Sequence, residues 1–178
     1  SLLTLLNIRP KQKTNKDLLL LESHPELIKE FWSAMLELGR LPDPTELANI
    51  EAEEIQNRLG SFRTAARLAQ LTYNPEALAE ARQSRIDDLR VYFSLNFFSQ
   101  RKPYKHLPDP LRRDIKAFFG NYRAAQDLGR ELLFSVANTE AILAACQAAS
   151  EEGLGHLDGS HSLQLHASIV DRLPATLR

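Results

Sequence analysis

The sequence predicts an all-α fold built from two similar three-helix units of helix-turn-helix type and a C-terminal helix, with a tail that can hold a short strand. Its 178 residues include only 7 glycines, and the abundant Ala, Leu, Glu, Arg and Gln favour helix. Apolar residues recur at helical spacing, as Leu27, Phe31 and Leu38 do. Two short strings also recur in the same order, which indicates an internal duplication.

The first string is Leu-Pro-Asp-Pro, at 41–44 and again at 107–110. Its aspartate is expected to cap a helix that begins at the second proline. The second string is glycine, Ser or Asn, Phe or Tyr, then Arg, at 60–63 and again at 120–123. Because the first strings are 66 residues apart and the glycines are 60 apart, the first copy is expected to have a longer middle helix or loop.

The domain boundaries follow from these repeats. Ser23, with Glu26 three residues later, has the pattern of a capping box and is expected to begin the first helix of the first unit. The residues before it lack clean periodicity. The predicted organisation is a linker or arm (1–22) and a helical domain (23–178) made of repeat unit one (23–72), repeat unit two (74–135) and a C-terminal helix with its tail (138–178).

A helical stretch is expected to start at Pro75 and to reach Phe98, with a bend or break near Ser84. Its later part is apolar on most sides, which is typical of a helix at the centre of a core. Aromatic residues in such a run more often pack in the core than stack on nucleic-acid bases. These residues are Tyr92, Phe93, Phe97 and Phe98.

The C-terminal part is predicted from its caps and glycines. Asn138 is expected to cap a helix, and the glycine-containing segment 153–159 is expected to be a loop. Its glycines have the wrong spacing for a dinucleotide-binding loop and follow a helix. The partial alternation of apolar residues at 162–170 indicates a short strand or an extended segment.

The composition excludes several classes of protein. The apolar fraction of 43% and the charged fraction of 25% are those of a globular domain. No apolar run approaches the roughly 20 residues that cross a bilayer, so no membrane partner is expected. The single cysteine, Cys146, excludes an internal disulfide, and a reducing, cytoplasmic compartment is expected. Because the chain starts with Ser1 and its only methionine is Met35, we expect a piece of a longer protein.

No catalytic constellation is found in the sequence. His156, His161 and His166 are five residues apart, which places them on no single helix face, so loop or structural histidines are favoured over a zinc site. The helical surroundings of Cys146 favour an inert thiol over a reactive one. We therefore expect no metal, no cofactor and no enzymatic activity in this chain itself.

The net charge of −1 hides an uneven distribution. The segment 101–123 has seven basic and two acidic residues, whereas 131–171 has six acidic residues and no Lys or Arg. A basic face is the usual electrostatic sign of a polyanionic partner. Packing of the two segments near each other explains the asymmetry equally well, and the sequence leaves both interpretations open.

The helix that follows each glycine is the candidate DNA reader. In a helix-turn-helix protein, residues at the start of the second helix reach base edges, and Arg and Asn can bond two base atoms. Basic residues on the preceding helix can hold phosphates. The candidate DNA-binding residues are Arg63 and Arg67 in the first copy, and Arg112, Arg113, Lys116, Asn121 and Arg123 in the second. The alternative is a plain helical hairpin with solvated arginines.

The run from Arg113 to Ala125, Arg-Asp-Ile-Lys-Ala-Phe-Phe-Gly-Asn-Tyr-Arg-Ala-Ala, is similar to a run in bacterial methyltransferases associated with DNA phosphorothioation. In that family it lies downstream of the methyltransferase-like domain. A shorter resemblance, at 38–42 and 59–65, is to the repeat associated with homing endonucleases. The segments that resemble the phosphorothioation family are 36–42, 60–62, 87–92, 107–108, 113–125, 132–135, 165–168 and 171–178.

This resemblance implies a helical accessory domain of a protein linked to the replacement of a DNA backbone oxygen by sulfur. The chain lacks a methyl-donor glycine loop, so no catalytic residue is carried over. The expected partner is DNA, bound or positioned by the second copy. The first copy has four glutamates in its middle segment and is expected to be its structural partner. The alternative is a scaffold or dimerisation module that contacts other proteins of the same modification system.

Overall fold

The computed structural model describes residues 14–47, 49–99, 102–159 and 162–178. The predicted all-α fold is confirmed, and the strands in the described part form one antiparallel pair. The helices are α1 (Asn15–Ser23), α2 (Pro25–Leu38), α3 (Asn49–Glu54), α4 (Phe62–Thr72), α5 (Pro75–Leu95), α6 (Asp109–Asp114), α7 (Tyr122–Ser135) and α8 (Thr139–Glu151), and the strands are β1 (His156–Asp158) and β2 (Ser162–Gln164).

The chain divides into two compact units, one ending at Ala81 and the other beginning at Arg82. The boundary therefore lies inside α5 and not near residue 73, where the repeats predicted it. The reason is that α5 continues without a break through Ser84, while its first turns still pack on the core of the first unit through Ala77 and Leu78.

The core of the first unit lies between α2 and α4. Their buried side chains meet at an aromatic contact, since the rings of Phe31 and Phe62 have centroids 5.8 Å apart. Trp32 stacks on Tyr73 with centroids 5.4 Å apart. Gly39 ends α2 in the left-handed conformation, at φ 63°, which glycine adopts without strain.

The arm predicted at 1–22 is partly wrong. Residues 1–13 lie outside the described residues, but Asn15–Ser23 is a helix, α1. Thr14 and Asp17 form a capping box at its start. The box predicted at Ser23 does not form, because the Ser23 hydroxyl donates to the backbone carbonyl of Leu19 at 2.6 Å.

An ion pair connects α1 to α4. Asp17 is 2% exposed, and its two carboxylate oxygens accept hydrogen bonds from Arg67 at 2.6 and 2.7 Å. The Arg67 hydrogen bonds, followed by the backbone bond of Thr14, hold the pKa of Asp17 well below its ordinary value of 3.8. This contact between residues fifty positions apart has no counterpart in the local sequence pattern.

We expect Asp17→Asn to lower the stability of the first unit in a pH-dependent manner. The folded-state pKa of Asp17 lies below 3.8, so the stability that it contributes is fully present above the unfolded pKa and is lost as the pH falls through the folded pKa. Urea midpoints of the wild type and the variant should differ by a constant amount above about pH 5. Below about pH 4 the difference should begin to shrink, and it should continue to shrink as the pH falls toward the folded pKa of Asp17. A gap that is independent of pH down to about pH 2 would contradict this assignment.

The two repeats have the same structure, but their register differs from the predicted one. Each repeat contains a 3₁₀ turn, a short α-helix, a π-helical turn, a left-handed glycine and a capped helix. Every one of these elements begins 60 residues later in the second repeat. They are Pro44–Glu46, α3, Ile55–Leu59, Gly60 and α4 in the first repeat, and Tyr104–His106, α6, Ile115–Phe119, Gly120 and α7 in the second.

The Leu-Pro-Asp-Pro strings are therefore not equivalent. The string at 41–44 leads into a 3₁₀ turn, whereas the string at 107–110 follows one. Asp43 caps its turn, but Asp109 is the first residue of α6 and makes no side-chain cap. The longer middle segment predicted for the first copy is wrong, because both copies have middle segments of equal length.

The second unit has its core between α5 and the second repeat. Phe93 of α5 contacts the rings of Phe119 and Tyr122, with centroids 6.3 and 6.0 Å away. The central core position predicted for the later part of α5 is only partly correct. Leu95 is 60% exposed and Phe98 is 76% exposed, because only the face with Leu89 and Phe93 is buried.

The C-terminal segment belongs to the second unit. Asn138 caps α8 as predicted. The predicted short strand is β2, where Leu163 pairs with Leu157 of β1. The loop predicted at 153–159 is partly wrong, because β1 occupies its second half. Gly155 permits the segment before β1 to lie close to β2, since a side chain there would come within 2.8 Å of the Gln164 carbonyl oxygen.

Candidate nucleic-acid interface

The helix α6 and the π-helical turn Ile115–Phe119 after it present a basic face because their opposite face is fixed in the core. Ile115 packs with Phe93 and Leu107 in the second unit, and Asp114 is fully buried beside it. On the other side, Lys116 is exposed and Arg112 and Arg113 are half-buried. The three basic residues predicted to hold phosphates are therefore brought to the surface together.

Both acidic residues of this basic segment are engaged by arginines. Arg85 of α5 donates to one carboxylate oxygen of Asp114, from Nη2 at 2.7 Å and from Nε at 3.1 Å. Asp109 accepts a hydrogen bond from Arg112, which lowers the pKa of Asp109. Lys116 has no ion pair with any residue in the described part of the chain. Its positive charge is therefore available to a ligand.

A shallow depression of about 260 Å³ lies on this face. Its rim is set by the segment before α6, where Leu107 is buried and the Tyr104 ring leans on Tyr122 with centroids 5.7 Å apart. The Tyr122 hydroxyl donates to the Lys102 carbonyl at 2.9 Å. We call this feature the basic depression, and its lining residues are Tyr104, Asp109, Arg112, Arg113 and Lys116.

The start of α7 carries the other two residues predicted for the second copy. The Asn121 side-chain oxygen caps α7 by accepting from the backbone amide of Ala124 at 2.9 Å, so only its NH₂ group can donate to a ligand. Arg123 is 92% exposed and lies 3.9 Å from Asp127, a distance that gives a weak ion pair. Neither residue lines the basic depression.

The two residues predicted for the first copy have different environments. Arg67 is committed to Asp17, so its predicted role as a DNA contact is replaced by a structural role. Arg63 is exposed and makes no ion pair within the described residues. It occupies the position equivalent to Arg123, one residue into the helix after the cap.

The equivalent segment of the first repeat has a net charge of opposite sign. Residues 104–123 include five basic and two acidic residues, whereas 44–63 include two basic and four acidic residues. In the 60-residue register, the positions of the three cations are held in the first repeat by other residues. Arg112, Arg113 and Lys116 correspond to Ala52, Glu53 and Gln56. The same backbone therefore presents a basic face in only one of its two copies.

Two residues of this site were missed by sequence reasoning. Arg85 is 29 residues from Asp114, and no local pattern connects them. Tyr104 lies between Lys102 and Lys105. This alternation of aromatic and basic residues is a signal that could have drawn attention to it.

Other kinds of site were sought in the described residues. No group of three or more His, Cys, Asp or Glu side chains there could hold a metal ion. His161 lies outside these residues, and the His166 ring nitrogen caps a 3₁₀ turn. No single described helix is long and apolar enough to cross a membrane; α7 and α8 reach that length and apolarity only as a pair, bent by 91°.

Comparisons with known proteins identify no relative of the chain. No protein-family model matches it, and neither a curated protein nor a solved structure does.

Proposed function

We propose that the second unit binds DNA through its phosphate backbone and that the basic depression on α6 is the contact surface. The observation that carries this proposal is the contrast between the repeats, in which Arg112 and Lys116 occupy positions held by Ala52 and Gln56 in the first copy. The fold does not require these cations, because the first repeat forms the same elements without them. A patch of such cations indicates a role outside the fold. Neutralised phosphates release counterions, which makes such binding strong at low salt.

The packing supports this role by fixing the backbone that carries the cations. Arg85 and the buried carboxylate of Asp114 hold α6 against α5, so the backbone at Arg112 and Lys116 is already in place when a ligand arrives. Arg123 lies on the next helix at the position where a helix-turn-helix protein reaches base edges. We assign it a secondary contact, because phosphate contacts position a protein while base contacts give specificity.

The larger setting that we propose is DNA phosphorothioation, with this chain as a non-catalytic accessory domain of a methyltransferase-like protein. The resemblance of the run from Arg113 to Ala125 to the phosphorothioation family supports this setting. A phosphate-binding surface also suits a domain that positions a DNA backbone. Because phosphate contacts do not depend on base sequence, we expect binding to DNA of arbitrary sequence.

The proposal predicts a loss of DNA affinity when the second repeat is given the residues of the first. Arg112→Ala combined with Lys116→Gln should weaken binding at low salt by about tenfold or more. Alanine and glutamine occupy the equivalent backbone positions in the first repeat, as Ala52 and Gln56, so the fold should be retained. The measurement is fluorescence anisotropy with a labelled duplex and a labelled single strand.

The matched control removes two positive charges from the first unit. Lys29→Ala with Arg58→Ala changes the net charge equally, and both side chains are exposed and make only local ion pairs. This control should bind as tightly as the wild type. Equal weakening by the two variants would show that only total charge matters, and the proposal would then fail.

A second function, docking of another protein or of a second copy, is favoured by exposed apolar side chains in the second unit. Large exposed apolar patches mark interaction surfaces. The residues concerned are Leu95, Phe98, Phe134 and Val136. Concentration-dependent sedimentation together with no affinity for DNA would favour this function over the first.

A further inference from the structure

We propose that the basic depression takes an unpaired nucleotide, whose base stacks on Tyr104 while its phosphate is held by Lys116 and Arg112. This inference rests on the proposed function and deepens it, because it names the form of DNA that the site accepts. Single-strand binding surfaces combine a positively charged groove with aromatic rings on which bases stack. The depression has both features within one small surface.

The position of Tyr104 differs from that of a core tyrosine. Tyr104 is 40% exposed and lines the depression together with three cations and Asp109. Its hydroxyl lies 3.5 Å from the Arg112 carbonyl oxygen, which is too long for a strong hydrogen bond. Full burial and a strong hydroxyl hydrogen bond are therefore both missing, and the ring contact with Tyr122 leaves a large part of Tyr104 exposed.

The ring is nevertheless held in place. It leans on Tyr122 at an interplanar angle of 42°, and the Tyr122 hydroxyl binds the backbone at Lys102. Directly after the 3₁₀ turn Tyr104–His106, the buried Leu107 anchors the backbone in the core of the second unit. A ring that is ordered before the ligand arrives loses little entropy on binding, which favours stacking.

The first repeat has no aromatic residue at the position equivalent to Tyr104. The residue that corresponds to Tyr104 is Pro44, so the 3₁₀ turn does not need an aromatic ring to form. The aromatic ring and the cations are thus present together in the second repeat and absent together from these positions of the first. In duplex DNA the base faces are covered by neighbouring pairs, so stacking on Tyr104 requires an unpaired base.

The test compares three labelled probes with equal numbers of phosphates: an oligothymidine single strand, an abasic strand of the same length, and a duplex. The wild type should bind the oligothymidine more tightly than the abasic strand. Tyr104→Ala should weaken oligothymidine binding by about fivefold to a hundredfold, the usual range for loss of one stacked base, and should leave abasic binding unchanged. Tyr104→Phe should bind oligothymidine like the wild type.

The control variant is Tyr92→Ala, which removes an equally exposed tyrosine, also 40% accessible, from α5 in the same unit. It should leave the affinity for all three probes unchanged. Equal weakening of oligothymidine and abasic binding by Tyr104→Ala, or no weakening of either, would overturn the stacking inference. In both cases the proposed function would stand if Arg112→Ala with Lys116→Gln still lowered all affinities. Failure of the wild type to bind any probe would overturn both proposals.

Discussion

Replacing Arg40 by alanine is expected to destabilise the first unit by about 3–5 kcal/mol, the usual cost of removing one member of a buried ion pair. The Arg40 and Glu46 side chains are 6% and 8% exposed, and two hydrogen bonds of 2.6 and 2.7 Å join them. Glu46 also accepts from the backbone amide of Asp43 at 2.9 Å. The pair therefore closes the segment between α2 and α3, and its loss leaves a buried carboxylate.

Urea unfolding monitored by fluorescence is the measurement, because Trp32 is the only tryptophan of the chain and lies in the core of the first unit. Arg58→Ala is the control, since it breaks the exposed pair with Glu54 and should cost less than about 1 kcal/mol. The double variant Arg40→Met with Glu46→Leu should be much less destabilised than Arg40→Ala, because it leaves no buried charge. Equal effects of Arg40→Ala and Arg58→Ala would contradict this account of the pair.

The second large effect is expected at Gly129, where α7 crosses α5. A Cβ atom there would lie 2.6 Å from the Phe93 Cβ and 2.8 and 2.9 Å from the backbone at Phe93 and Ser94. Gly129→Ala should therefore destabilise the second unit by about 1–3 kcal/mol, the usual cost of overpacking. Helix propensity alone predicts the opposite sign, a gain of about 1 kcal/mol, so the direction of the change decides between the two.

The matched position in the first unit is Ala69, which is buried and accommodates its methyl group. Ala69→Gly should destabilise the first unit by at least about 1 kcal/mol through propensity and lost packing. Hydrogen exchange at the amides of α5 and α7 can assign the Gly129→Ala effect to the second unit. Stabilisation by Gly129→Ala would show that the two helices separate easily.

The sequence predicted the helices well where local chemistry determines them. Asn138 caps α8 as predicted, and Ser61 and Asn121 cap α4 and α7 in the same way, because capping depends on one side chain and the backbone up to three residues away. The helices predicted after the glycines at positions 60 and 120 are present, and both glycines have positive φ. These features are local, so no knowledge of tertiary packing was needed.

Features that depend on distant residues were missed. The helix α1 has weak periodicity, and its capping box and the bond from Asp17 to Arg67 support it. The register of the repeat was misassigned because the recurrence of Leu-Pro-Asp-Pro is easy to recognise in the sequence. The 3₁₀ turns before α3 and α6, which are the equivalent elements, are not. At the candidate site, the grouping of Arg112, Arg113 and Lys116 was predicted from charge, whereas the role of Arg85 required the packed structure.

The most direct test of the central claim, that the second unit binds DNA phosphates through the basic depression, is the salt dependence of DNA affinity. Each cation that neutralises a phosphate adds about one unit to the slope of log affinity against log salt concentration. Arg112→Ala with Lys116→Gln should therefore lower the slope by about two units relative to the wild type, while Lys29→Ala with Arg58→Ala leaves it unchanged. A wild-type slope near zero, or identical slopes for the wild type and the first variant, would contradict the claim.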